Sequence, residues 1–126
     1  MSKKKILVVD DDIGVVRLVG SLLTAHDYNV TTAMDGLDAL VKIKHDKPDL
    51  VVLDIMMPEV NGYDVCYQLR FNKEFAHIPI VLLSSRPQEL DDALGKKADI
   101  EYIPKPLDSK LLLEKIEYLL SKQNSH

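Results

Sequence analysis

Cysteine is nearly absent from this chain. Cys66 is the only one, so no internal disulfide can form, and a domain of this length must rely on its core. A lone cysteine also fits a reducing compartment. Long apolar runs are missing too. No segment reaches the roughly 18 apolar residues that span a bilayer. The short run Ile6–Val9 that follows Lys3-Lys4-Lys5 ends in Asp10-Asp11-Asp12, which is not the pattern of a signal peptide. A cytoplasmic protein with no membrane partner is expected. Positive charge is in deficit: 16 Lys and Arg against 20 Asp and Glu leave a net charge of −4. Direct nucleic-acid binding, which rests on neutralising phosphates, is therefore not expected. The lysines before the first apolar run read as a solubilising start. Hairpin signals, internal repeats, low-complexity tracts and linkers are lacking as well. The 126 residues suit one domain, 1–126, with a core over about 4–121.

What is present is an alternation, five times over, of apolar strings with amphipathic stretches. Ile6–Val9, Val30–Ala33, Leu50–Leu53, Ile80–Leu83 and Ile100–Ile103 are predicted strands, rich in the branched residues of strands buried on both faces. Asp12 can cap a helix bearing Val15, Val16, Leu18, Val19, Leu22 and Leu23. Leu37, Leu40 and Val41 mark a second helix, closed before Lys47-Pro48. Gly62 opens a third with Val65, Cys66 and Leu69. A fourth, over about 88–96, has little apolar content beyond Leu90, Ala93 and Leu94. The last runs from about Asp108 with Leu112, Leu113, Ile116, Leu119 and Leu120. Such βα repetition implies a parallel sheet with helices on both faces. Pro104 places the fifth strand at an edge, because proline cannot donate to a central ladder.

Four of these strings end in polar residues: Asp10-Asp11, Asp54, Ser84 and Lys105. Parallel strands bring all four ends to one edge, where ligand sites of such sheets lie. Adjacent carboxylates repel, so Asp10, Asp11 and Asp54 together suggest a cation. Mg²⁺ prefers carboxylates, waters and phosphate oxygens. A carboxylate can also attack phosphorus, and phosphoryl transfer depends mainly on positioning and charge neutralisation. Taken singly, the same residues have plainer readings. Asp10, Asp11 and Asp12 can stop a strand and cap a helix, and Lys105 can be a loop lysine between two prolines. Asp54 is harder to explain that way, since a carboxylate after four apolar residues is costly to bury unpaired. His26, His45, His77 and His126 show no metal-ligand spacing. Tyr63 and Tyr67 read as packing on one helix face, and Cys66 as a small core hydrophobe.

Asp10-Asp11 after strand one, Asp54-Ile55-Met56-Met57-Pro58 followed by Gly62, Ser84 after strand four and Lys105-Pro106 after strand five form a joint pattern. With it the chain resembles the receiver domain of two-component response regulators over essentially its whole length. The resemblance implies a flavodoxin-like, doubly wound α/β fold with strand order 2-1-3-4-5. It implies a phosphorylation-activated switch rather than an enzyme with a diffusing substrate. Asp54 would be the phosphoacceptor. Asp11, Asp54 and the backbone carbonyl of Met56 would ligate Mg²⁺, with Asp10 acting through a water. Lys105 would pair with the phosphoryl group, across a cis Lys105–Pro106 bond. Ser84 would hydrogen-bond the phosphoryl group and move toward it, Ser85 would leave room for the donor, and the Tyr102 ring would turn inward. The surface of the fourth helix, fifth strand and fifth helix would then change.

The implied donor is a sensor histidine kinase or a histidine phosphotransfer protein. The implied target is a downstream protein or an output domain not in this chain, reached as a monomer or a phosphorylation-dependent dimer. Met1-Ser2-Lys3 reads as a true N-terminus. The run Lys96-Lys97-Ala98-Asp99 departs from the family's pattern, the stretch from Ser84 to Lys105 is about one residue short, and Pro87 delays the fourth helix. These departures fall on the output surface, not on the acidic site. Met56 and Arg86 occupy positions that tune dephosphorylation. Two alternatives are a phosphate-independent interaction module and a Mg²⁺-dependent phosphohydrolase. The second would need another acid where Met56 stands.

Overall fold

Strands form where the apolar strings lie, each extended by one residue beyond the apolar run. The computed structural model describes residues 3–57, 60–84 and 100–123. In chain order these are β1 (Lys5–Val9), α1 (Ile13–Ala25), β2 (Asn29–Ala33), α2 (Gly36–His45), β3 (Leu50–Asp54), α3 (Gly62–Arg70), β4 (Ile80–Ser84), β5 (Ile100–Pro104) and α4 (Ser109–Gln123). All strand pairs are parallel, and the order is β2-β1-β3-β4-β5. This is the flavodoxin-like order expected from the sequence. The fourth predicted helix, with Ser85, Arg86 and Pro87, lies outside the described residues, as do Pro58 and His126.

Side chains alternate across a pleated strand, so each central strand feeds two cores. Leu7, Val9, Val51, Leu53 and Leu82 pack with Ala39, Ile43, Val65, Cys66 and Leu69 from α2 and α3. Ile6, Val8, Val52, Val81 and Leu83 pack on the opposite face with Val19 and Leu23 of α1 and Leu112, Ile116 and Leu119 of α4. Burial pushes the Cys66 thiol up to about 12, so it stays a neutral hydrophobe. Among the described residues no helix is long and apolar enough to cross a membrane.

Two helix faces differ from their sequence reading. Leu18 is 56 % exposed, and Leu37 and Val41 are 57 % and 65 % exposed. On α1 the stripe Val16, Val19, Leu23 faces the sheet, and Leu18 lies about 200° round the helix from Val16. On α2 the sheet-facing stripe is Gly36, Ala39, Leu40 and Ile43. Its small residues let the helix approach closely, and Leu37 and Val41 are turned out as a result.

The two sheet edges are β2 and β5. On β2 the Lys42 ammonium donates to the Thr32 carbonyl and pairs with Asp38 at 3.1 Å. On β5 the strand ends in the exposed Pro104, opposite Ser84.

Helix α1 stops through two overlapping bonds. Tyr28 N–H donates to the Leu23 carbonyl and Asp27 N–H to the Thr24 carbonyl, each at 3.1 Å. This closure places Asp27 at φ 68°, in the left-handed region that costs an L-residue roughly 1 kcal/mol and glycine nothing. Asp27→Gly is expected to stabilise the fold by about 0.5–1 kcal/mol, read as a higher midpoint in thermal denaturation. An unchanged or lower midpoint would mean that the Asp27 carboxylate makes a compensating contact.

Candidate functional site

The carboxyl edge of the sheet carries every polar residue that ends a strand. Each described helix that follows this edge is fixed by a side-chain cap, which satisfies backbone N–H groups left open by the first turn. Asp12 accepts from Gly14 N–H at 2.8 Å, Asp35 from Asp38 N–H at 2.7 Å, and Asp108 from Lys110 N–H at 3.0 Å. Asn61 and Asp64 form a reciprocal capping box at the start of α3. The loops that lead into these four helices are thereby tied down at their helical ends.

Asp10, Asp11 and Asp54 converge: each offers a carboxylate oxygen, and these oxygens lie within 4.8 Å of one another. Asp10 is fully buried and Asp54 is 2 % exposed, while Asp11 is open to solvent. Asp10 is satisfied in two directions. Its Oδ1 accepts from Asp12 N–H at 2.9 Å and its Oδ2 from Lys105 Nζ at 3.0 Å. Lys105 Nζ also stands 3.3 Å from Asp54 Oδ1, the same oxygen that accepts from Met56 N–H at 3.3 Å. Ser84 is buried at the end of β4, and the Lys105 N–H donates to its carbonyl at 2.8 Å. That bond places the start of the β5 loop beside β4. The Lys105–Pro106 peptide is cis, as the resemblance implied. Tyr102, opposite Leu82 in the ladder, packs partly against the α2–α3 core.

The electrostatics follow from this crowding. Burial, with the Asp10 charge behind it, pushes the Asp54 carboxyl up to about 6, and Lys105 opposes the shift. Burial alone would lower the Lys105 ammonium. The hydrogen bond and charge of Asp10, joined by Asp54, outweigh it and hold Lys105 above its usual range. Three clustered carboxylates, two of them paired with a single ammonium, leave excess negative charge in a partly dry pocket. Hard oxygen donors, one of them open to solvent, fit a Mg²⁺ ion that keeps several waters.

Sequence reading located the polar strand ends but not two features of their surroundings. One is the bond from Asp12 N–H that anchors Asp10. The other is the pair of glycine contacts against the β3–α3 loop. A Cβ on Gly62 would lie 2.4 Å from the Asp54 carbonyl oxygen, and one on Gly36 would lie 2.3 Å from that of Val60. His26, His45 and His77 are exposed and away from the acidic cluster.

An acidic, lysine-bridged pocket at the carboxyl edge of a parallel sheet lies where the doubly wound, flavodoxin-like class of α/β domains places its ligand sites. The comparisons specify it: the sequence model of the response regulator receiver domain matches residues 6–117, and this chain belongs to that family. The chain is 39% identical over 120 residues to the alkaline phosphatase synthesis transcriptional regulatory protein PhoP of Bacillus subtilis, covering 94% of this chain and 49% of that protein. It thus spans about half the length of that curated relative. Among solved structures, a CheY-like receiver domain protein from Methanospirillum hungatei superposes with a TM-score of 0.86 at 26% identity, covering 98% of each chain. Response regulator TrrA from Thermotoga maritima, solved in complex with Mg²⁺-BeF, gives a TM-score of 0.82 at 34% identity, covering 92% of this chain and 98% of that one.

Proposed function

We propose that the chain, 1–126, works as one phosphorylation-dependent switch with Asp54 as its phosphoacceptor. The observation that carries this reading is a buried carboxylate, Asp54, 3.3 Å from the Lys105 ammonium and within 4.8 Å of a carboxylate oxygen of the solvent-facing Asp11. The donor is a phosphohistidine of a sensor kinase or a phosphotransfer protein. An Asp54 carboxylate oxygen attacks phosphorus and the phosphorus–nitrogen bond breaks. Its electron pair returns to the imidazole, which takes up a proton. Asp11, Asp54 and the Met56 carbonyl would hold Mg²⁺, and Asp10 would act through a water because both its oxygens are already engaged. When bound, the ion supplies charge neutralisation for the phosphoryl oxygens.

This chain's own residues do the rest. Lys105 exchanges part of its carboxylate contact for the phosphoryl oxygens. The Ser84 hydroxyl donates to one of them. The new group brings nearly two negative charges, and it shifts a two-state equilibrium only by interacting better with one state. Movement of Ser84 makes room for the Tyr102 ring, and the surface around β5 and α4 changes. That surface addresses a protein target or an output domain, in line with the transcriptional regulators among the relatives.

Incubation with acetyl phosphate and MgCl₂, followed by intact mass, tests the reading. One added phosphoryl group is expected in the parent chain, and none without Mg²⁺ or in Asp54→Asn. No gain under conditions that label a known receiver would overturn the switch in favour of a phosphate-independent interaction module.

A further inference from the structure

The geometry points to Asp12 as a positioning residue for Asp10 and Asp11, acting through its place at the start of α1 and not through its charge. The inference rests on the switch reading for its functional meaning; the bonds that carry it do not. Asp12 is the third acid of the run Asp10-Asp11-Asp12, yet the carboxylate oxygens that converge belong to Asp10, Asp11 and Asp54. The Asp12 carboxylate is given to the helix instead, where its Oδ1 accepts from Gly14 N–H at 2.8 Å. Its backbone serves the pocket: Asp12 N–H donates to Oδ1 of the buried Asp10 at 2.9 Å. One residue thus joins the first turn of α1 to the acidic cluster, and Asp11 lies between the two joined residues.

Two further bonds bracket the segment. Asp10 N–H donates to the Ala33 carbonyl at 3.2 Å, and Val16 N–H donates to the Asp12 carbonyl at 3.1 Å. The second bond fixes the Asp12 carbonyl but not the direction of its N–H, because the Cα–C bond between them can turn. The cap removes that freedom. With carbonyl and side chain both tied to α1, Asp12 is held at φ −92° and ψ 109°, and its N–H meets Asp10. Without the side chain, rotation about the Cα–C bond carries the N–H off Asp10 Oδ1. The same rotation moves the preceding residue, Asp11, which is the solvent-facing member of the cluster. Asp10 keeps its bond to Lys105 at 3.0 Å but loses its second anchor. The start of α1 thus sets how two of the three clustered carboxylates are presented.

Substitution separates the cap from the charge. Asparagine caps a helix about as well as aspartate, whereas alanine does not. In calorimetric titration with MgCl₂ at about 0.15 M salt, well below the thermal midpoint, Asp12→Ala is expected to bind about tenfold more weakly than the parent. Asp12→Asn should stay within about threefold of the parent, since salt screens an exposed charge. Asp35→Ala is the control. It removes the matching cap from α2, a helix with no acid in the cluster, and should leave Mg²⁺ affinity at the parental value. Amide exchange in the metal-free proteins gives a second readout: the protection factor of the residue 12 amide should fall about tenfold in Asp12→Ala and hold in Asp12→Asn. Asp12→Asn as weak as Asp12→Ala would assign the effect to charge, and an equal loss in Asp35→Ala would assign it to general stability. Either result, or Asp12→Ala within about twofold of the parent, would overturn the inference. Should Asp12→Ala not fold, Asp12→Gly decides in its place, because glycine is tolerated at a helix start without offering a side-chain cap. Binding about tenfold weaker there supports the inference, and parental affinity overturns it. A parent that binds no Mg²⁺ and takes no phosphoryl group would sink the switch reading, and the protection factor alone would then decide whether the cap positions the N–H on Asp10.

Discussion

Asp54→Asn is expected to raise the thermal midpoint of the metal-free protein by roughly 5–10 °C at pH 7. The reason is the cost of keeping that carboxylate charged. Its pKa stands at about 6 in the fold against 3.8 for a free side chain, and each unit corresponds to about 1.4 kcal/mol. The ionised group therefore costs at most about 3 kcal/mol, of which an asparagine, after finding its own hydrogen bonds, recovers about 2. The sign gives a pH signature. Below about pH 4 the group is protonated in both states, and variant and parent should melt together. As pH rises the unfolded chain ionises first, so the parent loses stability until about pH 6 and remains at that disadvantage above it. Mg²⁺ is expected to reverse the comparison: bound at the proposed site of the native parent, it would add about 2.7 kcal/mol at a hundredfold excess over Kd. Calorimetric melts across pH, with and without MgCl₂, check all three points. A metal-free variant less stable than its parent at pH 7 would mean that the pair with Lys105 contributes more than burial costs.

Gly62→Ala should act in the opposite direction, lowering stability by about 3 kcal/mol or more. The added Cβ would meet three backbone atoms: the Asp54 carbonyl oxygen at 2.4 Å, Ile55 Cα at 2.7 Å and the Asp54 carbonyl carbon at 3.0 Å. Those atoms cannot yield. They end β3, a central strand paired on both sides and buried along its length. The start of α3 must move outward instead, drawing Val65, Cys66 and Leu69 from the core. Urea titration is expected to show the midpoint falling with little change in slope, the mark of a stability change in an otherwise intact two-state fold. A loss below 1 kcal/mol would show that α3 shifts without unpacking.

The strands were legible because a strand buried on both faces is an uninterrupted apolar string, and β3 and β4 are buried at every position. The acidic cluster was legible for a related reason. A charged or hydroxyl residue directly after such a string stands at the sheet's edge once the strands are parallel. That logic joined Asp10 to Lys105, 95 residues apart. Helix phase was less accessible. Leu18, Leu37 and Val41 count as apolar in any periodicity, yet the tight approach of α2 is set by Gly36 and Ala39. The contacts of Gly36 and Gly62 were invisible, because what excludes a side chain there is the backbone of another segment. Asp54, Ser84 and Pro104 proved to be the last residues of their strands rather than the first beyond them, since ladder pairing continues past the apolar run.

Any sheet that does not close leaves two rows of backbone groups ready to recruit another chain. Here both are blunted. Lys42 occupies the Thr32 carbonyl on one border, and Pro104, which has no N–H to offer, finishes the other. Each border strand is only five residues long. Self-association by strand addition, and the fibrous aggregation it invites, is disfavoured by design. Contact between copies along either strand border is thus unfavourable, which shifts any such contact to surfaces away from those borders.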